Sequence, residues 1–422
     1  MRRPIRFIER NWTQLALVAV AASWVFRRLR TKRHRVELPA PTGPFQVGRL
    51  AFDWLDPARK EPYAPGKRRR RELSVWIWYP AEVNPGAQAG EYLPGRWRLT
   101  SLLWGFQASR VRAHAVSRAP VARGQERFPV LVFSPAAFAP HYYTALFEEL
   151  ASHGYVVVAL SHTYEMLPVS VFADGRVRLF RPASVGNALQ VSRIPHEEDV
   201  RKRARVVGVK AEDLSFVVDQ LERLNAGTGL LAGRLDLDRL GALGHSLGGN
   251  AAAEFCRRDR RCRAVVDLDG GLWSEVSQEG IPRPFLMLFA EHPEYLRPCA
   301  DSVRQKAFSS EEYCQEHRAF AVTGWQRLYA SAQPGYSIQV RGAGHASFTD
   351  CGLLPLRSGS FARQSLGSIE GHRMWRVLSD YLLAFFDRHL RDRPAPLLDG
   401  PDPSHPEALF EPPEVLFQVP KA

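Results

Sequence analysis

Short apolar runs recur along the chain, separated by stretches with helical spacing. "FPVLVFSP" (128–135) and "YVVVALSH" (155–162) are nearly continuous in apolar residues, as parallel strands buried on both faces are. "RLGALGHS" (239–246), "RAVVDLDG" (263–270), "PFLMLFAE" (284–291) and "YSIQVRGAG" (336–344) read the same way. "LSVWIWYP" (73–80) alternates and ends at Pro80, which predicts an edge-type strand. Helical spacing marks "YYTALFEELASHG" (142–154), residues 197–224 and "MWRVLSDYLLAFFDRHL" (374–390). Strands separated by helices imply a mostly parallel central sheet with helices on both faces. Residues 91–127 and 292–335 break the alternation and predict lid-like insertions. "SLLWGF" (101–106), in the first of them, suits either core packing or an apolar patch facing lipid.

Composition supports a globular body: 45% of residues are hydrophobic and 24% charged. The net charge of +13 would suggest nucleic acid, but its placement argues against that partner. Residues 1–35 hold ten Lys/Arg and one acid, so nine of the thirteen net charges sit there. Residues 1–35 therefore read as a basic-flanked N-terminal segment, and 36–422 as one folded domain. The run "WTQLALVAVAASWVF" (12–26) falls short of the roughly 20 residues that span a bilayer. Flanking arginines can snorkel, which favours an anchor; Ala19-Val20-Ala21 resembles a signal cleavage site. Membrane association is the expectation, with secretion or a periplasmic location if the segment is removed. Lys67 to Arg71 form a second basic run, read as solvated loop or as a contact for anionic headgroups. The five cysteines contain no C-x-x-C pair, so no metal is expected. Cys256–Cys262 and Cys299–Cys314 are disulfide candidates outside the cytoplasm; free buried thiols are the alternative.

"GALGHSLGGNAAAEF" (241–255) holds the chemistry. Gly244-His245-Ser246-Leu247-Gly248 fits Gly-x-Ser-x-Gly between an apolar run and helix-forming residues. A sharp strand-to-helix turn would present Ser246 Oγ above the sheet, and the flanking glycines would avoid a clash. The Leu247 N–H at the helix start can face an oxyanion. Serine needs a base, and His345 in a Gly-Ala-Gly-His turn after the last strand is placed to supply it. His141 and His162 precede Ser246, and His292 ends another strand; His245 is expected to pack locally. Three carboxylates compete as the acid: Asp267, Asp269 and Glu291.

These pieces resemble the plasma and intracellular type II platelet-activating factor acetylhydrolases and their bacterial relatives. "GPFQVG" (43–48), "WYP" (78–80), "FPVLVFS", "LASHGYVVVAL", "GHSLGG", "LDGG" and "RGAGHASFTD" follow one another in that family's order. The resemblance implies an α/β-hydrolase fold, an acid at Asp269, and a second oxyanion N–H at Ala137. It also implies metal-free cleavage of short or oxidised acyl chains from phospholipids. One departure stands out: the family has His-Gly after "VFS", and this chain has Pro135-Ala136. Pro135 has no N–H to donate.

The expectation is a serine esterase on glycerophospholipids bearing a short acyl group at the second position, with no cofactor. A general carboxylesterase or triacylglycerol lipase would use the same triad. A non-catalytic interaction protein on this scaffold would lack a reactive Ser246.

Overall fold

The structure, a computed structural model, describes residues 35–66, 69–123, 126–185 and 192–410. The apolar run 12–26, together with Lys67 and Arg68, lies outside the described residues. Among the described residues no helix is long and apolar enough to cross a membrane.

Ten strands form one sheet: β1 (Gln46–Lys60), β2 (Arg70–Ala81), β3 (Val116–Ser117), β4 (Phe128–Ser134), β5 (Val156–Ser161), β6 (Leu235–His245), β7 (Cys262–Leu268), β8 (Phe285–Phe289), β9 (Gly335–Val340) and β10 (Ala408–Leu409). Their order is β10-β9-β8-β7-β6-β4-β5-β2-β1-β3. From β5 to β9 every neighbouring pair is parallel. The helices are α1 (Arg98–Trp104), α2 (Thr144–Ser152), α3 (His196–Ala226), α4 (Leu247–Arg258), α5 (Glu311–Ser331) and α6 (Gly371–Arg391), besides shorter turns.

Successive residues of each central strand feed opposite faces. Phe133, Leu243, Val266 and Leu286 join one core with Phe147 of α2 and Tyr381 and Phe385 of α6. Val132, Ala242, Val265 and Phe285 join another with Leu214 of α3, Phe255 of α4 and Trp325 of α5. Burial on both sides explains why these strands are apolar throughout. α6 is capped by Glu370, whose carboxylate accepts from the N–H groups of His372 (3.0 Å) and Arg373 (2.9 Å). It closes with Arg388, His389 and Arg391 in its last turn, where the helix dipole favours cations.

Two expectations are corrected, and one open choice is narrowed. β2 is an interior strand, paired antiparallel with both β1 and β5. Its pairing with β5 ends at Trp78, so Pro80 interrupts no ladder on that side. The "SLLWGF" stretch does not expose a continuous patch. Trp104 and Phe106 are buried beside Tyr142, and Leu102 alone of its described apolar side chains faces solvent. Within 292–335, α5 is an ordinary crossover helix between β8 and β9, covering the sheet with Trp325 and Leu328.

Cys256 is disulfide-bonded to Cys262 and Cys299 to Cys314, with Cα separations of 5.0 and 5.8 Å. Cys351 is a buried free thiol.

Candidate active site

The parallel strands finish level with one another. Gly244 of β6 stands beside Ser134 of β4 and Asp267 of β7, and Leu268 stands beside Leu288 of β8. The loops leaving these ends hold the candidate residues, at the carboxyl edge where open α/β sheets bind ligands.

Ser246 joins β6 to α4 at φ +59° and ψ −129°. A non-glycine residue in that region holds strain of about 1–3 kcal/mol. Its neighbours make the turn possible. A Cβ on Gly244 would lie 2.1 Å from the Gly248 carbonyl oxygen, and one on Gly248 would lie 2.0 Å from that of Ser134. Gly248 thus lets the start of α4 touch the loop that leaves β4. Ser246 is half-buried, and its carbonyl accepts from the Gly249 and Asn250 N–H groups (2.9 and 3.3 Å).

Of the three candidate acids, Asp269 meets a histidine. Its Oδ2 accepts from His345 Nδ1 at 2.6 Å. Its Oδ1 accepts from the Ala290 N–H at 2.7 Å and from His292 Nε2 at 2.8 Å. Burial opposes ionisation of Asp269, but His292 and His345 outweigh it and hold the carboxyl well below the usual range. Asp267 packs against Gly249 and Gly270, behind the Ser246 turn. Its Oδ1 accepts from the Gly270 N–H at 2.9 Å, and burial pushes its carboxyl well above the usual range. Glu291 is exposed. His345 makes no hydrogen bond to Ser246 Oγ among the described residues; such bonds often tighten only when substrate binds.

His245 packs locally, as expected. Its Nδ1 is 2.8 Å from the Tyr143 hydroxyl, and its ring centroid lies 4.6 Å from that of His345. Burial first, then the neighbouring His345, push its proton affinity well below that of an ordinary histidine. His141 is buried against the Trp76 and Trp97 rings.

The expected oxyanion donors lie on the two segments that Gly248 brings together. Leu247 opens α4, whose first N–H groups have no partner within the helix. No acceptor takes the N–H of Leu247 or of Ala137 among the described residues. Leu247 packs in one small apolar cluster with Ala137, Phe180 and Trp273. The Ala137 carbonyl accepts from the Leu167 N–H at 2.9 Å. The substituted residue Ala136 is buried, with its N–H 3.4 Å from the Tyr143 hydroxyl. Tyr143 therefore touches both this loop and the Ser246 turn.

A second serine–histidine–aspartate chain lies behind the loop. Ser134 Oγ is 2.9 Å from His162 Nε2, and His162 Nδ1 is 2.8 Å from Asp213 Oδ2, all fully buried. Arg71 and Arg59 both pair with Asp213, and Arg71 also pairs with Glu61 and Glu165. Burial opposes ionisation of Asp213, yet Arg71 and His162 hold its carboxyl far below the usual range. Burial, then Lys210, lower the proton affinity of His162. The neutral ring gives its Nδ1 proton to Asp213, so the Ser134 hydroxyl donates to Nε2. Ligand atoms of His162, Glu165 and Asp213 lie within 4.8 Å of one another, a spacing that suits a metal ion. Arg71 and Lys210 already neutralise both carboxylates, so the donor set does not fit a cation. Sequence spacing gives no sign of this chain, because no Gly-x-Ser-x-Gly turn marks Ser134.

Sheet order and the strand-to-helix serine turn define an α/β hydrolase. The family model "Platelet-activating factor acetylhydrolase, isoform II" matches residues 31–395, and the chain belongs to that family. The chain is similar to a "Probable 1-alkyl-2-acetylglycerophosphocholine esterase" of Arthroderma benhamiae, at 23% identity over 88% of this chain and 93% of the relative. It is 24% identical to a platelet-activating factor acetylhydrolase of Cavia porcellus, over 74% of each. Among solved structures it resembles a ferulic acid esterase from Streptomyces cinnamoneus, with a TM-score of 0.71 and 32% identity, over 89% of this chain and 99% of that one. The chain is an ester-hydrolysing enzyme.

Proposed function

We propose that the enzyme removes short acyl groups from the second position of glycerophospholipids, using Ser246, His345 and Asp269 as its triad. Ser246 Oγ attacks the ester carbonyl while His345 Nε2 takes the hydroxyl proton. The Leu247 and Ala137 N–H groups donate to the oxyanion. The intermediate collapses, and the lysophospholipid alkoxide leaves with the proton from His345. Water then attacks the acyl-serine and gives a proton to His345. The carboxylic acid departs, and the proton returns to Ser246 Oγ. Asp269 accepts from His345 Nδ1 throughout and stabilises the imidazolium. The 2.6 Å His345–Asp269 bond, beyond a serine held at φ +59° at the start of α4, carries this reading.

The names of the two acetyl-ester relatives support the substrate. So does the surface around α1. Leu99, Leu102 and Phe361 are exposed, with Arg96, Arg357 and Arg363 also at the surface. The Arg357 N–H donates to the Trp104 carbonyl (3.1 Å), joining the two segments. Apolar side chains among arginines suit a phospholipid surface. The run 12–26 is read as an anchor to that surface, or as a removed signal. Two disulfides fit an oxidising compartment, periplasmic or extracellular.

A second reading is an esterase for aromatic acyl groups, favoured by Trp273 and Phe180 beside Leu247 and by the ferulic acid esterase likeness. Parallel assays with a 1-alkyl-2-acetyl phosphocholine, a long-chain phosphatidylcholine, p-nitrophenyl acetate and methyl ferulate separate the two. The acetyl phospholipid should exceed methyl ferulate in kcat/KM by about tenfold or more, a gap of ~1.4 kcal/mol in transition-state binding. The reverse ranking overturns the substrate assignment. Activity retained by Ser246→Ala overturns the triad.

A further inference from the structure

Asp269 serves two histidines. Its Oδ2 faces His345, while its Oδ1 accepts from His292 Nε2 at 2.8 Å. The other nitrogen of His292, Nδ1, lies 3.0 Å from Glu294 Oε1. Neither carboxylate has a proton to give at neutral pH, so both ring nitrogens of His292 donate and the ring is an imidazolium. The groups facing it are Asp269 from the loop after β7, with His345 beyond it, and Glu294 and Tyr295 from its own turn. The Tyr295 ring lies 5.7 Å away, with its hydroxyl directed to His317. Burial disfavours a charged His292, but Asp269 and Glu294 outweigh it and hold its proton affinity well above that of an ordinary histidine.

We propose that His292 is a positioning residue for ester hydrolysis: it clamps Asp269 in line with His345 and supplies a fixed positive charge that weakens the pull of Asp269 on the His345 proton. This rests on the reading of His345 as the base and Asp269 as its partner. A lone carboxylate beside the base would favour the imidazolium, and a protonated base cannot accept the proton of Ser246. The second cation on the same carboxylate offsets that preference. The Ala290 N–H (2.7 Å) and His292 together also fix the carboxylate plane, so Oδ2 cannot swing away from His345.

Two variants test this on the full-length enzyme with p-nitrophenyl acetate. His292→Gln keeps an N–H donor for Asp269 and removes the charge. His292→Ala removes both. In His292→Gln the acid limb of the kcat/KM–pH profile should move up by roughly 0.5–1 unit, as loss of a nearby like charge requires. Its plateau should fall by only about threefold, less than the tenfold or more expected when a catalytic hydrogen bond is lost. His292→Ala should show the same shift and a plateau about tenfold lower in kcat, with KM little changed. An acid limb that stays in place in His292→Gln overturns the proposal, whatever becomes of His292→Ala. Loss of the underlying reading looks different: His345→Ala would then retain wild-type activity, which no result with His292 can produce.

Discussion

Two serine–histidine–aspartate sets lie behind and beyond neighbouring strand ends, and their contrast separates the proposed catalytic arrangement from a structural one. Ser134, His162 and Asp213 form a closed hydrogen-bonded chain in the interior. Ser246, His345 and Asp269 stand one strand away, with the serine half-buried and held in a strained turn. In the inner set Asp213 is met by two arginines, and its histidine is neutral. In the outer set Asp269 is met by two histidines, one of which is proposed to carry the reacting proton. Residue types are the same in both. The half-buried serine, the N–H groups of Leu247 and Ala137 without an acceptor among the described residues, and the identity of the counter-charge distinguish them. A guanidinium fixes a carboxylate permanently, because it does not titrate. An imidazole can gain and lose a proton during turnover. The inner chain holds the end of β4, from which the Pro135–Ala137 loop departs.

Three sets of substitutions bear on this contrast. The largest effect is expected from Ser246→Ala, with kcat/KM down by about 10⁴-fold or more, against less than about tenfold for Ser134→Ala. Equal losses at the two serines would erase the distinction. Next, Asp269→Asn should lower kcat by roughly 10³–10⁴-fold with a modest change in stability, since the amide favours the wrong tautomer of His345. Asp213→Asn should do the opposite. It leaves Arg71 short of its main anion in the interior and destabilises the fold by about 3–5 kcal/mol, read from the denaturant midpoint. Smaller still, Ala137→Pro deletes one proposed oxyanion N–H and should lower kcat by about 10²–10³-fold with KM nearly constant. An unaltered kcat would remove Ala137 from the site.

The parallel strands were legible because two-sided burial makes them apolar without interruption. The Gly-His-Ser-Leu-Gly turn was legible because its steric needs act over five residues. β1 escaped notice as a strand, since Arg49, Asp53 and Asp56 interrupt its apolar run. Arg49 is nonetheless buried, lying over the Trp76 ring and donating to the Glu91 carbonyl. α5 reads from sequence as part of an insertion because few of its positions are buried and apolar. The choice among Asp267, Asp269 and Glu291 needed a resemblance, for the first two lie at the end of β7 and the third follows its neighbour β8. What separates them is the positive φ of Asp269, which turns that carboxylate toward His345. The role of His292 was hidden for a similar reason. It meets Asp269 across 23 residues of sequence, through a contact that no local pattern encodes.

The most direct measurement is covalent labelling with a fluorophosphonate, followed by peptide mass spectrometry to locate the adduct. One adduct per chain is expected, on Ser246, absent in Ser246→Ala and preserved in Ser134→Ala. Labelling that persists in Ser246→Ala, or an adduct on any other residue, would contradict the assignment of Ser246 as the nucleophile.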